Sequence, residues 1–157
     1  MNNVIINTDG KPPPAWSADA ENFALKVLDE INRDNWELSI LFCDNKKITE
    51  LNRQYRKINE PTDVLSFILG ETAQESDNTI YYPGDIIISL DTLRENAQYF
   101  QVTEDEELRR LLIHGILHLD GMDHGTIKKD EPMLILQEKL LNRLNNEHII
   151  PMDGEIS

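Results

Sequence analysis

The chain has 157 residues, of which 39% are hydrophobic and only one is cysteine, and it carries a net charge of −14. This length is typical of one domain with one core, so we expect a single domain over residues 1–157. The single cysteine, Cys43, excludes an internal disulfide and fits a reducing, cytoplasmic compartment. No leader-like segment or membrane-length apolar run occurs, and the acidic charge disfavours a general polyanion-binding surface, so neither a membrane nor DNA is an expected partner.

The first half of the chain alternates between predicted strands and helices. Residues 4–6 predict a short strand, and Ser17 is expected to cap the amphipathic helix that follows. Residues 36–43 are rich in Ile, Leu and Phe and predict a buried strand. A second helix is expected where apolar residues are spaced at 3.6-residue periodicity, over residues 48–58.

The second half predicts two more strands and then three helices. Strands are expected to begin at Val64 and Asp85, each after a turn, and the polar segment 71–79 between them predicts an exposed loop because it has no periodicity. Asp91 is expected to cap the next helix, which should run to Phe100.

The last two helices complete the predicted fold. Thr103-x-x-Glu106 forms a capping-box pattern that should open one helix, and the final helix should run from about Asp130 to Leu144, followed by a flexible tail over residues 147–157. This order predicts an α/β (α+β) fold in which a single mixed sheet of about four strands is covered by about five helices.

A cluster of histidines lies at the end of the fourth predicted helix. His114 and His118 are separated by four residues, so their imidazoles share one face of the helix. Gly121 can adopt a left-handed conformation that ends the helix and returns the chain, which brings His124 to the same point. Three protein ligands leave a coordination position open for water or substrate, whereas a structural zinc site has four. We therefore expect one catalytic ion per chain, zinc or another divalent transition metal, on His114, His118 and His124.

The histidine spacing matches the metzincin pattern His-x-x-x-His-x-x-Gly-x-x-His, with one substitution. Gly115 stands where these peptidases carry the glutamate that acts as general base, which argues against ordinary peptide hydrolysis. Asp120 and Asp123 could orient an imidazole through its second nitrogen, although a solvated surface position is equally compatible with Asp120. His148 could in principle add a ligand, but its polar surroundings favour an exposed position.

Three ordered motifs resemble those of the YbeY-type endoribonucleases, the ribosomal RNA maturation factors of bacteria, over roughly residues 4–145. The motifs are His114-Gly-x-Leu-His118-Leu-x-Gly121-x-Asp123-His124, the pair Leu51-Asn52-x-x-Tyr55-Arg56 and Pro61-Thr62-Asp63-Val64-Leu65-Ser66-Phe67, and Gly84-Asp85-Ile86-x-Ile88-Ser89. Two positions depart from the family pattern: Met122 replaces an expected aromatic residue, and the segment after His124 is not acidic.

The resemblance implies a zincin-like fold, a zinc-type ion on the three histidines, and hydrolysis of single-stranded RNA during ribosomal RNA maturation and ribosome quality control. The implied partners are RNA and the small ribosomal subunit or its proteins. Arg56 occupies the position of a family arginine that faces the metal cleft, where a guanidinium could stabilise charge on a phosphate in catalysis. The general base stays open among hydroxide formed at the metal, the RNA 2′-hydroxyl, and the carboxylates of Asp85 and Asp123.

Residues 46–57 form a basic segment within the acidic chain, with five basic side chains against one acidic side chain and a local net charge of +4. This segment could contact a few phosphates of a single strand, and binding should then be local and salt-dependent. Two alternatives to a ribonuclease remain at this stage. One is a metallohydrolase of another substrate, and the other is a ribosome-associated assembly factor whose metal is mainly structural.

Overall fold

The computed structural model of the chain describes residues 1–122 and 127–151. Four strands and five helices follow one another in these residues. They are β1 (Asn3–Thr8), α1 (Ser17–Glu30), β2 (Glu37–Cys43), α2 (Asn45–Arg56), β3 (Val64–Glu75), β4 (Asn78–Ser89), α3 (Leu90–Phe100), α4 (Glu104–Leu119) and α5 (Ile127–Arg143). The expected α/β fold, with one sheet of four strands and five helices, is confirmed.

The strands form one mixed sheet in the order β1-β2-β4-β3. The pairs β1–β2 and β2–β4 are parallel, and β3 runs antiparallel to β4 along one edge. Because side chains alternate along each strand, Ile86 and Ile88 point into the main core with α1 and α4, whereas Ile87 packs on the opposite face with Ile48 of α2. The sheet therefore separates α4 from α2.

The segment 71–79 is part of a long hairpin, so the predicted loop is wrong. β3 and β4 pair from Glu71 and Tyr82 to Glu75 and Asn78, and their side chains are mostly exposed. A two-stranded ribbon with both faces in solvent has no need of alternating apolar residues, which is why periodicity failed to predict it.

Two predicted helix caps are also wrong. Ser17 is the first residue of α1 rather than its cap, and its hydroxyl donates to the carbonyl of Pro14 at 2.8 Å. Ser89 caps α3 by accepting from the backbone N–H of Thr92, while the Asp91 carboxylate accepts from the backbone N–H of Asn45 at 2.9 Å. The position before α1 is Trp16, which makes no side-chain capping hydrogen bond. The error at α3 arises because two residues able to cap a helix, Ser89 and Asp91, lie near its start.

The C-terminal segment contacts the core as far as Ile150, which contradicts the flexible tail expected from residue 147. The carboxylate of Asp105 accepts hydrogen bonds from the backbone N–H groups of Ile149 and Ile150, at 2.6 and 2.8 Å, and Ile149 is buried. The polar composition of the segment did not predict this contact, because the contact depends on the buried side chain of Ile149 and on the carboxylate of Asp105.

Candidate metal centre and its cavity

Helix α4 places His114 and His118 side by side. Thr103 caps the helix, as expected, by accepting from the backbone N–H of Glu106 at 3.0 Å. The two imidazoles are half-buried, with ring centroids 6.3 Å apart and ring planes inclined by 26°. The structure therefore brings these two predicted ligands together on one face of α4.

The Nδ1 atom of His118 lies 3.0 Å from the carbonyl oxygen of Met122. A carbonyl oxygen can only accept, so Nδ1 carries the proton and donates it, and Nε2 carries the lone pair. Metal-binding histidines commonly hold their second nitrogen in this way. His118 is therefore in the tautomer that a metal ion requires at Nε2.

Gln137 of α5 fixes the tautomer of His114 through a short relay. Its Nε2 atom donates to the carboxylate of Glu138 at 3.2 Å, which turns the amide oxygen towards His114, and Nδ1 of His114 lies 2.7 Å from that oxygen. Arg110 holds Glu138 in turn, with nitrogen–oxygen distances of 3.0 and 3.2 Å. His114 thus donates from Nδ1 and presents the lone pair of Nε2, as His118 does.

The turn after α4 contains the left-handed glycine expected from the sequence. Gly121 has a φ of +97°, and its N–H donates to the carbonyl of His118 at 3.1 Å. This left-handed glycine follows the end of the helix, as its place in the motif predicts. His124 and Asp123 lie outside the described residues, and within the described part of the chain no three potential ligands meet at one point.

A cavity of about 420 Å³ opens beside His114. Its walls are formed by α4, by Gln137 of α5, by the residues at the start of β3, and by the residues at the end of α3. Its polar walls include Asp63, Glu107 and Arg110, and its apolar wall includes Phe100. Burial raises the pKa of Glu107 above its usual value, an effect that nearby Asp63 reinforces and Arg110 opposes.

Gly115 packs directly against the sheet. A Cβ at this position would lie 2.9 to 3.1 Å from side-chain carbons of Ile86, which is fully buried. A glutamate therefore does not fit at position 115, because the side chain would enter the core rather than the cavity. The glycine that departs from the metzincin pattern thus allows α4 to approach β4 closely.

Arg56 lies at the exposed end of α2, and the six residues after it lead to Asp63 in the wall of the cavity. Every arginine outside α2 forms an ion pair with a carboxylate. Among the described residues, no ion pair involves a basic side chain of residues 46–57. Four of the five basic side chains of this segment are exposed, and its charge is not compensated by ion pairs within the described part of the chain.

Three other polar residues considered from the sequence have structural contacts elsewhere. Asp85 bonds to Ser39 on the sheet face opposite α4, so it is excluded as a base that reaches the metal cleft. Asp120 accepts two hydrogen bonds from Arg33, at 2.6 and 3.0 Å. His148 contacts Asp105 at 3.0 Å, nine residues or about 13 Å along α4 from His114, which excludes it as a fourth ligand.

Sequence reasoning missed Gln137, Glu138 and Phe100 as parts of the site. Gln137 is only 5% exposed and lies on the otherwise apolar buried face of α5. A polar residue on such a face was the available signal, because buried amides require partners. Phe100 carried no signal in the sequence, since only the fold brings the end of α3 to the cavity.

Comparisons with known proteins agree with the resemblance noted in the sequence. The family described as Endoribonuclease YbeY matches residues 6–145. Endoribonuclease YbeY of Treponema denticola is 46% identical over 150 residues, covering 94% of this chain and 97% of that protein. Endoribonuclease YbeY of Treponema pallidum is 44% identical over 142 residues, covering 90% and 89% of the two chains.

A solved structure matches the fold. The solution structure of TM1509 from Thermotoga maritima superposes with a TM-score of 0.65 at 28% identity, covering 92% of this chain and 90% of that chain. In the described residues, no helix combines the length and the apolar character needed to cross a membrane.

Proposed function

The chain belongs to the endoribonuclease YbeY family, and we propose that it is a metal-dependent endoribonuclease that cleaves single-stranded regions of ribosomal RNA during maturation and quality control. In this proposal one ion, zinc or another divalent transition metal, is held by His114, His118 and His124. Arg56 acts as a second positive charge towards the phosphate.

The observation that supports this proposal most strongly is the hydrogen bonding of the two imidazoles. His114 and His118 each place Nδ1 against an oxygen acceptor, so both are set in the tautomer that binds a metal through Nε2. A zinc-type ion supplies Lewis acidity, which lowers the pKa of a water molecule and stabilises negative charge on phosphate oxygens. The chain's own contribution is to orient the ligands and to exclude bulk water with the half-buried cavity.

The basic surface of α2 supports RNA as the substrate. Its five basic side chains are not neutralised by carboxylates within the described residues, whereas the arginines of the acidic remainder are all paired. Phosphates should therefore bind along α2 and be repelled elsewhere. Arg56 lies at the end of α2 that leads to the cavity.

The limited basic area indicates that the enzyme needs additional contacts to reach its substrate. Five cations contact only a few phosphates, and the rest of the surface is acidic, so binding to free RNA should be weak and strongly salt-dependent. A docking surface on the small ribosomal subunit or its proteins would supply the missing affinity. The proposed site of action is the cytoplasm, consistent with a free Cys43.

Cleavage of a labelled single-stranded RNA tests this function. The wild type should cleave the strand internally, should lose activity on chelation, and should regain it with added zinc. His118→Ala should reduce cleavage by at least about 100-fold, because one ligand is lost. His148→Ala is the matched control, since this histidine is 59% exposed and lies away from the cavity, and it should retain metal and activity.

The same experiment separates the alternatives. An assembly factor with a structural metal would bind ribosomal RNA without cleaving it. Its His118→Ala variant would lose both the bound metal and thermal stability. A hydrolase of another substrate would bind metal but leave every tested RNA intact. Either result contradicts the proposed ribonuclease.

A further inference from the structure

An exposed aromatic pair lies at the end of α3, and its second member, Phe100, borders the cavity beside His114. Tyr99 and Phe100 are 74% and 62% exposed, and their rings are stacked with centroids 5.0 Å apart and planes inclined by 22°. The next residue, Gln101, has a left-handed φ of 57° that ends α3 and holds Phe100 at the cavity wall. Exposed stacked aromatic rings are a common platform for nucleobases, because every base offers a π-face.

The polar wall of the same cavity is unsuited to phosphate. Asp63 and Glu107 are acidic, and among the described residues that line the cavity Arg110 is the one lysine or arginine. Arg110 is already bound by the carboxylates of Glu106, Glu107 and Glu138, at distances of 3.0 to 3.4 Å. The cavity therefore offers hydrogen-bond acceptors to a ligand and lacks an uncompensated positive charge for an anion.

The carboxylates retain the capacity to accept from a ligand. Asp63 Oδ2 accepts from the side chain of Asn96 at 3.1 Å, and Oδ1 accepts from the backbone N–H of Val64 at 2.8 Å. Each carboxylate oxygen can accept two hydrogen bonds, so Oδ2 can receive another donor. The volume of about 420 Å³ lies within the range of small-molecule sites.

We propose that this cavity is a subsite for one nucleobase of the RNA substrate, with Phe100 as the stacking wall and Asp63 and Glu107 accepting from the base edge. Guanine fits this wall best, because its N1–H and exocyclic N2–H groups donate side by side to a carboxylate. Uracil fits poorly, since its two carbonyl oxygens would approach the acidic wall. The subsite therefore selects bases by their donor-rich edge.

The biological meaning of this subsite rests on the proposed ribonuclease function. His114 belongs to the cavity wall, so a base that occupies the cavity lies beside the metal-binding imidazole. Phosphates further along the strand would then bind to the basic surface of α2, while one base would bind in the acidic cavity. This division explains how an acidic protein can hold a polyanion at its active site.

Titration with nucleosides tests the subsite without requiring cleavage. Guanosine and uridine, which carry no phosphate, are titrated into the full-length protein and binding is followed by NMR chemical shifts. Guanosine should bind more tightly than uridine, and Phe100→Ala should weaken guanosine binding about tenfold. Ile135→Ala removes an exposed apolar side chain of similar exposure, 54%, from α5 outside the cavity, and should leave the affinity unchanged.

A second variant tests the acidic wall. Glu107→Gln keeps the shape of the side chain and an oxygen that can accept from Arg110, but it replaces one acceptor with a donor, so the preference for guanosine over uridine should fall several-fold. Equal guanosine affinity in the wild type and Phe100→Ala, or equal affinity for both nucleosides, would overturn the proposal. Failure of the wild type to cleave RNA while it still binds guanosine would refute the ribonuclease and leave the subsite standing.

Discussion

Gln137 determines which nitrogen of His114 carries the proton. The amide oxygen of Gln137 receives Nδ1–H of His114, and the amide nitrogen is committed to Glu138, so the amide is held in one orientation. Without this acceptor the neutral imidazole could place its proton on Nε2, the atom that should bind the metal. The histidine motif alone therefore does not complete the site, because a residue 23 positions away sets the state of its first ligand.

Gln137→Met tests this role, because it preserves the length of the side chain and removes the acceptor. We expect the affinity for zinc to fall by about 10- to 100-fold. Nitrogen NMR shifts of His114 in the metal-free protein should change from protonation at Nδ1 towards protonation at Nε2. Gln137→Glu supplies a carboxylate acceptor and should restore the wild-type tautomer. An unchanged tautomer in Gln137→Met would show that Gln137 is merely packed against the ring.

The placement of His114 beside His118 could be predicted from the sequence because a spacing of four residues on a helix is local geometry. The convergence of His124 on the same point, expected from the glycine before it, stays a prediction. Gln137, Phe100 and Asp63 could not be predicted in this way, because they reach the cavity from three different segments. Their roles depend on how α3, α5 and β3 pack around α4, which periodicity does not encode.

At the scale of elements, the close approach of α4 to β4 positions the site. Gly115 faces Ile86 of β4, and the absence of a side chain allows the helix to lie directly on the sheet. His114, next to Gly115 in the chain, lines the cavity, and His118 lies one turn further along α4. The same position therefore serves packing in this family member and would carry catalysis in a metzincin.

Gly115→Ala should lower the free energy of unfolding by about 1–3 kcal/mol, because the added methyl group overpacks a rigid contact. Ile86→Ala should cost about 2–5 kcal/mol in the wild-type background. Urea unfolding of both single variants and the double variant measures their coupling. If the two side chains compete for the same space, the double variant should lose less than the sum of the two single losses. Additive losses would contradict the contact.

The sequence predicted buried elements better than exposed ones. The strands β2 and β4 are rich in apolar residues and the helices α1 and α2 are amphipathic, since each of these elements has buried side chains. The outer half of the β3–β4 hairpin lacks this constraint. Pro83 lies opposite the register shift between Ile68 and Glu71, where a missing N–H breaks no regular ladder pair. The turn predicted before Asp85 is therefore part of β4.

At the scale of the whole molecule, Asp105 joins the C-terminal segment to the start of α4. Its buried carboxylate pairs with Arg109 at 3.0 Å and accepts from His148 and from two backbone N–H groups. Burial alone would raise the pKa of Asp105, but these hydrogen bonds and Arg109 hold it below the usual value. The charged carboxylate is thus the form that stabilises the fold.

This lowered pKa predicts acid sensitivity. A carboxyl whose pKa is lower in the folded state stabilises the fold above its unfolded pKa, near 4, and this contribution is lost as the pH falls through the folded pKa. Asp105→Asn should lose about 3–5 kcal/mol at pH 7, because Arg109 is left unpaired in the core. It should also lose less further stability than the wild type between pH 5 and about pH 3.

Urea unfolding at several pH values measures both effects. Asp29→Asn is the control, since Asp29 is exposed in the last turn of α1 and its substitution should change stability by no more than about 0.5 kcal/mol. A wild-type stability that stays constant from pH 5 to pH 3, or an Asp105→Asn variant as stable as the control, would refute this account of the C-terminal contact.

The measurement that most directly tests the central claim is a zinc titration of the chelated protein in which bound metal and RNA cleavage are recorded on the same samples. The claim predicts that cleavage rises in proportion to bound zinc and saturates at one ion per chain, and that His124→Ala neither binds the ion tightly nor cleaves. Cleavage that persists in the metal-free protein, or a fully loaded protein that leaves single-stranded RNA intact, would contradict it.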